Sequence, residues 1–489
     1  MPIRSSVVLA ISVCLNAALL IGCADGGSSA THLATTVPAA AQQGTVAGAQ
    51  ATPGRSVHSS NRRTLSVPSC IGFTGPDAFI GINNSSADAG QYSVVGGGQN
   101  NEACDSWGTV VGGSGNSIYG TTGQGTTGWG FIGGGFGNVL TGSDEFSAIV
   151  AGDDNQVSTQ ESAIVAGADN SVAAFGALVG AGSSNTIAAG AVSGAIVSGN
   201  HNSLSGNIAF IGGGSQNTIS TNGQYGAIVS GLQNALSGEY GFIGAGTNNN
   251  VSGEGGYIAA GGYNSVSGEG AVIDGGFNST AAGTFATIPG GYVNSAAGTY
   301  SFAAGARASA AQTGTFVWSD GSDGDTILTS SRAYQFLARA SGGFTLYTNA
   351  ASTVGAQLAA GSGTWASLSD RNVKTNIAPL DDAAVLDKVA ALPISRWSYK
   401  SEHGVRHVGP MAQDFYAAFG VGADDKHITS IDEDGVALAA IKALHSHVNA
   451  LEAKNAQLRA ASTSQSAKIT AMQTQLQHLS AQIAVLNQR

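Results

Sequence analysis

A serine and a lysine five positions apart, Ser369 and Lys374, stand where a repetitive glycine-rich region gives way to a helical tail. Those two residue types can do acyl chemistry without a histidine: the lysine amine takes the hydroxyl proton and the serine oxygen attacks a carbonyl. Lys374 serves as a base only when neutral, so its pKa has to fall from about 10.4 through burial or a nearby positive charge. Arg371, between the two, is placed to supply that charge. The bland alternative is a solvated pair with no chemistry. Downstream lies a second block, Arg406-His407-Val408-Gly409-Pro410-Met411-Ala412-Gln413-Asp414, whose His407 either contacts the serine or packs the fold.

The region from Ser369 to about Leu458 resembles the C-terminal intramolecular chaperone domain of phage endosialidases and tail spikes. The residues that carry the resemblance are Ser-Asp-x-x-x-Lys-x-Asn-Ile at 369–377, Val385-Leu386-Asp387-Lys388, Leu392-Pro393, Trp397-Ser398-Tyr399-Lys400, the block from His407 to Gln413, and Asp434-Gly435-Val436 opening a helix. The resemblance implies a homotrimer that helps an upstream β-rich region to fold and then cuts the bond before the serine. It makes Leu368-Ser369 the cleavage site, Ser369 the nucleophile and Lys374 the base, with Asp370 and His407 as accessories. On that reading the chain is a serine endopeptidase of one turnover, acting on itself. The alternative it leaves is an uncut fibre in which the C-terminal module stays as a permanent trimer clamp.

What must position these residues is a long repeat. From about Ile80 to Ala308 an aliphatic residue, a glycine-rich turn, an asparagine six positions on and a second aliphatic two later recur. The asparagines run Asn100, Asn116, Asn138, Asn155, Asn170 and on to Asn278 and Asn294; the aliphatics six before them run from Val94 and Val110 to Val272 and Ile288. Each unit has room for two short strands with β-branched residues inward, and stacked asparagines can form a ladder. One unit buries too little alone, so neighbours must stack. The pattern resembles the left-handed parallel β-roll heads of trimeric autotransporter adhesins, with Asn where those heads often carry Ser or Ala; a single-chain solenoid is the rival. Collagen fails because glycine does not recur at every third position, and calcium-binding nonapeptides fail for want of regular Asp. The fingerprint-like Gly123-Gln124-Gly125-Thr126-Thr127-Gly128 has no helical pattern after it and binds no nucleotide on this reading.

After Ala308 come three aromatic strand-like runs, Thr315–Trp318, Tyr334–Leu337 and Gly343–Tyr347, read as a separate β neck. The tail from Ile441 places Leu444, Val448, Leu451 and Leu458 on one seam, continuing from Ile469 to Leu486, which is coiled-coil spacing. Isoleucine at a with leucine at d leans toward two strands, so three chains follow from the resemblance rather than from heptad chemistry.

Composition agrees with repeats. The chain has 489 residues, 73 of them glycine, is only 10% charged and carries a net charge of -11, which argues against a nucleic-acid surface. Arg4, an apolar run from about Val7 to Ile21 and Leu20-Ile21-Gly22-Cys23 resemble a bacterial lipoprotein signal, the run being short for a membrane span. Lipidation at Cys23 would hold the protein on a membrane. With Cys14 lost in the signal, Cys70 and Cys104 remain; an exported chain lets them pair, stay free or pair between chains. No membrane barrel follows the tail, so the expected anchor is Cys23.

The expected fold is therefore mainly β with a C-terminal α part: trimeric left-handed parallel β-roll or solenoid repeats, a β neck, a small α+β chaperone domain and a coiled coil. The expected boundaries are 1–22 signal, 23–68 flexible tether, 69–308 repeats, 309–366 neck, 367–440 chaperone and 441–489 coiled coil. The expected function is a lipid-anchored, adhesin-like or structural surface protein of the bacterial envelope, at the outer membrane or cell surface. Its expected partners are its own copies, a host or environmental surface ligand and the membrane, with no metal, cofactor or nucleic acid.

Overall fold

Two short strands per repeat unit are enough to close a coil, because each needs only one inward side chain. A computed structural model of the chain describes residues 78–80, 90–120, 128–142 and 146–487. Cys23, Cys70, the signal, the tether and most of the Gly123–Gly128 stretch lie outside the described residues. In the unit around Asn155 the strands are Ala148–Ile149 and Gln156–Val157, with Ile149 and Val157 buried. First strands of successive units stack in parallel into a 17-stranded sheet and second strands into a 15-stranded one. Register is kept coil to coil, as in Ile164 beside Val179 and Val172 beside Ile187. Single bridges such as Ser183 to Asn200 stitch a third side.

The product is a parallel β-solenoid of about 15 turns. Its core is closed within one chain: Ile196, Ile211 and Ile228 from the first strands and Ile187, Leu204 and Ile219 from the second are all fully buried. Burying one such side chain contributes about 1.5–3 kcal/mol. A coil with two of them cannot offset its own ordering entropy, so stability comes from stacking.

The repeated asparagine fills the inner corner. Asn185 Oδ1 accepts from the backbone N–H of Asn202 at 3.1 Å and from its Nδ2 at 3.0 Å, and Asn202 Nδ2 donates onward to Gly214 O at 3.1 Å. The amide therefore satisfies a buried backbone donor that the turn leaves over. Asn100 and Asn278, expected in this ladder with Val94 and Val272 as their inward aliphatics, are each displaced by one residue. Asn101 and Ser279 are the buried ladder members, and Val95 and Ile273 point inward. Asn100 and Asn278 take the preceding position at φ 56° and 53°, where other coils put Asp154, His201 or Gln233. Asparagine suits that left-handed site as well as the ladder, so spacing alone chooses wrongly.

Three residues before each ladder position the backbone turns so closely that a side chain has no room. At Gly182, with φ 107°, an added Cβ would lie 2.0 Å from Gly199 O in the next coil. Glycine here is a requirement of stacking rather than of flexibility.

The parallel ladder does not dissolve at Ala308. Phe316–Asp320 and Phe336–Arg339 are strands of the 17-stranded sheet and pair in parallel, so two of the expected neck runs continue the solenoid. Their aromatic side chains stack on that of Phe302, with ring centroids 4.6 Å apart at each step, and this continues the coil-to-coil register. A separate antiparallel sheet is formed by Gly343–Tyr347, Gly355–Ala359 and Trp365–Ser367.

The α part has three helices, α1 Asp382–Ala391, α2 Ala412–Phe419 and α3 Ser430–Leu486, with a two-stranded hairpin of Ser395–Trp397 and His407–Gly409 between α1 and α2. Asp381 caps α1 by accepting from Ala384 N at 3.1 Å, and Thr429 caps α3 by accepting from Asp432 N at 3.2 Å. α3 thus opens upstream of Asp434-Gly435-Val436, and its first turns pack on α1 through Val436, Ala439, Ala440 and Val385. Lys442 Nζ meets Asp382 Oδ2 at 2.5 Å across that contact. Beyond it the apolar seam of α3, Leu444, Leu451, Leu458 and Ile469 onward, is exposed in a single chain. Among the described residues no helix is long and apolar enough to cross a membrane.

Candidate functional site

The segment joining the small sheet to α1 is held from both sides. Upstream, Leu368 N donates to Gly355 O at 3.0 Å, continuing the edge strand Trp365–Ser367. Downstream, Arg371–Val373 form a single 3-10 turn whose N-cap is Asp370. Asp370 Oδ1 accepts from the backbone N–H of Asn372 at 2.9 Å and from its Nδ2 at 3.0 Å. That cap is the role the structure gives Asp370: it sets the turn that brings residue 374 back toward residue 369.

The consequence is direct contact. Lys374 Nζ donates to Ser369 Oγ at 2.5 Å, while Lys374 N closes the turn on Arg371 O at 3.2 Å. A five-residue spacing that looks accidental in sequence is thus a folded pair. Both residues, and Arg371 between them, are exposed in a single chain. Arg371 has no salt bridge among the described residues, and its backbone carbonyl closes the turn on Lys374 N.

His407 is brought elsewhere. It lies opposite Trp397 in the hairpin, its ring stacked on the indole at 4.6 Å, and its Nε2 is 2.9 Å from Glu402 Oε2. Tyr399 closes the same cluster edge-on at 5.0 Å from Trp397. No hydrogen bond joins His407 to Ser369 or Lys374 among the described residues. Glu402 is the partner that sequence reasoning missed. Its only signal was an acid five residues before the histidine across a turn, which is too common to single out.

Residues 369–421 match the family model described as chaperone of endosialidase. The chaperone-of-endosialidase match opens on Ser369 itself and spans the 3-10 turn, α1, the hairpin and α2, ending before α3. No curated protein matches the chain. A chaperone-of-endosialidase domain behind a β-solenoid suggests a trimeric tail-spike-like protein, since this family implies homotrimer formation.

Of the other expected sites, Cys104 is disulfide-bonded, whereas Cys23 and Cys70 lie outside the described residues. Among the described residues no three His, Cys, Asp or Glu side chains gather as a metal site.

Proposed function

We propose that this chain is a lipid-anchored surface fibre, trimeric through its C-terminal module, that cuts itself once at Leu368-Ser369 after folding. The observation that carries the reading is the 2.5 Å contact between Ser369 Oγ and Lys374 Nζ at the first residue of the chaperone match.

Ser369 lies on the C-terminal side of the bond it would cut, which dictates the chemistry. Neutral Lys374 takes the Oγ proton, and Oγ adds to the Leu368 carbonyl carbon through a five-membered ring. The C–N bond then breaks, the Ser369 nitrogen takes up a proton, and Leu368 is left as an ester on Ser369 Oγ. One water hydrolyses that ester, giving a Leu368 carboxylate and a chain that begins with the free amine and hydroxyl of Ser369. A base must shed its own proton first, which exclusion of water favours for an amine. Ser369 and Lys374 are open to solvent in one chain, so that exclusion falls to neighbouring copies. Cleavage would then follow assembly rather than precede it.

Trimerisation of α3 as a coiled coil accounts for its exposed seam. Export, lipidation at Cys23 and residence at the bacterial cell surface rest on the N-terminal pattern Leu20-Ile21-Gly22-Cys23. After cleavage the solenoid would stay on the membrane and the C-terminal module would leave. An adhesin-like or structural role follows from a long repetitive body. The second reading, an uncut fibre clamped by the module, is favoured by the exposure of the pair. Denaturing electrophoresis of wild type beside Ser369→Ala separates them: two wild-type bands and one mutant band support self-cleavage, and one full-length band in both supports the clamp.

A further inference from the structure

The two sheets of the solenoid turn very different faces outward. On the 15-stranded sheet the outward residues from Ser171 to Thr218 are small and polar: Ser171, Thr186, Ser203 and Thr218. On the 17-stranded sheet three outward columns run along the axis: the corner residue two before each strand's first outward position, that outward position, and the residue after the buried aliphatic. From Trp107 to Trp318 these columns contain only two charged residues, Glu161 and Asp274.

The columns are also matched in size. From Phe131 to Phe242, where the first strand residue is large the residue two on is glycine, as in Phe131 with Gly133 and Phe210 with Gly212; where it is alanine the partner is valine, as in Ala195 with Val197 and Ala227 with Val229. The ring of Phe210 lies over its glycine, Cε1 being 3.3 Å from where a Cβ on Gly212 would stand. In these coils a large residue at the first strand position is offset by a glycine two on, and alanine by valine, which evens the bulk across the strand. The face is uncovered in one chain: Val197 is 48% and Val229 45% exposed.

We infer that this face is where the solenoids of three copies of the chain pack around a common axis. The inference rests on the trimer proposed above and assigns its surface along the body. At about 4.8 Å per strand, 17 strands give a face about 75 Å long and about 13 Å wide, about 1,000 Å². Specific interfaces bury about 800 Å² per partner, so the size fits. Monomeric proteins rarely expose an apolar patch this large. The same columns continue through Phe302, Phe316 and Phe336 to the last solenoid strand, the end nearest in sequence to the chaperone module. A three-fold axis also suits a repeat: identical coils meet at equal heights, so every row of one copy faces the same row of the next.

Other occupants fit less well. The corner aromatics stack on one another along the axis, Trp107 on Trp129 at 5.2 Å and Trp129 on Phe146 at 6.3 Å, so their faces are covered and only edges are offered. Edges pack against another apolar surface but do not provide the flat platform on which a sugar stacks. The two charges present are acidic, which disfavours an anionic lipid surface.

The test uses the full-length chain with Val197→Cys on the proposed face and Ser203→Cys on the polar face, each treated with a short bismaleimide, with wild type as the thiol control. Solution mass by light scattering is measured first. A trimer in which Val197→Cys gives a covalent dimer band and Ser203→Cys does not is the expected result. A trimer in which Val197→Cys stays uncrosslinked and is freely labelled by a monofunctional maleimide would show the face to be open to some other partner and overturn the assignment alone. A monomeric full-length chain would overturn both this assignment and the trimer reading beneath it.

Discussion

Ser369 and Lys374 gain their meaning from the residue between them that sequence reading treated as an accessory. Asp370 caps the 3-10 turn, and the turn brings the amine onto the hydroxyl. Lys374→Arg separates contact from catalysis, because a guanidinium stays protonated and cannot take the serine proton. We expect this variant to fold and assemble but to remain a single full-length band on denaturing electrophoresis. In the solenoid, each buried amide ties two coils together. Asn202→Ala would remove the acceptor for Asn217 N and Nδ2 and the donor to Gly214 O, leaving buried groups unpaired at about 1–3 kcal/mol each. A lower midpoint in chemical denaturation of the variant beside wild type is the expected outcome. The ladder was legible because its spacing repeats. The two misplaced members, Asn100 and Asn278, were not, since the left-handed position before the ladder accepts the same residue type.

At the scale of elements, the two-residue strands could be read from the alternation of one aliphatic with one small residue, and the helical seam from its three-and-four spacing. The end of the solenoid could not be read. Phe316–Asp320 and Phe336–Arg339 abandon the Asn spacing while keeping the parallel register, so the period vanishes before the fold does. Charged groups secure that end. Asp320 accepts from Ser341 N at 2.5 Å and from the N–H and hydroxyl of Ser322, and these hydrogen bonds, Ser341 first, hold its carboxyl well below the usual carboxylate range. Arg339 reaches Asp320 and Asp323 from the last strand. A carboxylate whose pKa is lowered by folding stabilises the fold above its unfolded value, near 3.9, and that contribution is lost as pH falls below it. Thermal melting of wild type and Asp320→Asn should therefore differ at pH 7 and converge as the pH is taken down through 4 toward 2. A gap independent of pH would assign Asp320 a packing role instead. The core carries more: Ile196→Ala should cost about 2–5 kcal/mol, read as a lowered denaturation midpoint, because the neighbouring coils cannot collapse into the space.

The whole molecule joins a body whose stability is built coil by coil to a C-terminal module whose residues 369–421 match the chaperone-of-endosialidase model, a family that implies three chains. Helix α3, at 57 residues, is about 85 Å long and, among the described residues, packs on its own chain through its first turns. A solenoid closes its core without help, so the module is not needed to complete one chain. What it can supply is the meeting of three chains in register, after which it has no further structural task. A cut at Leu368-Ser369 fits that order of events, since the bond lies between the small sheet that anchors Leu368 and the turn that presents Ser369. The most direct test is the intact mass and N-terminal residue of the smaller species in a purified wild-type preparation. A fragment beginning at Ser369, with an unmodified serine at its start, is the expected result. A preparation containing only the uncut chain, or a fragment beginning at any other residue, would contradict it.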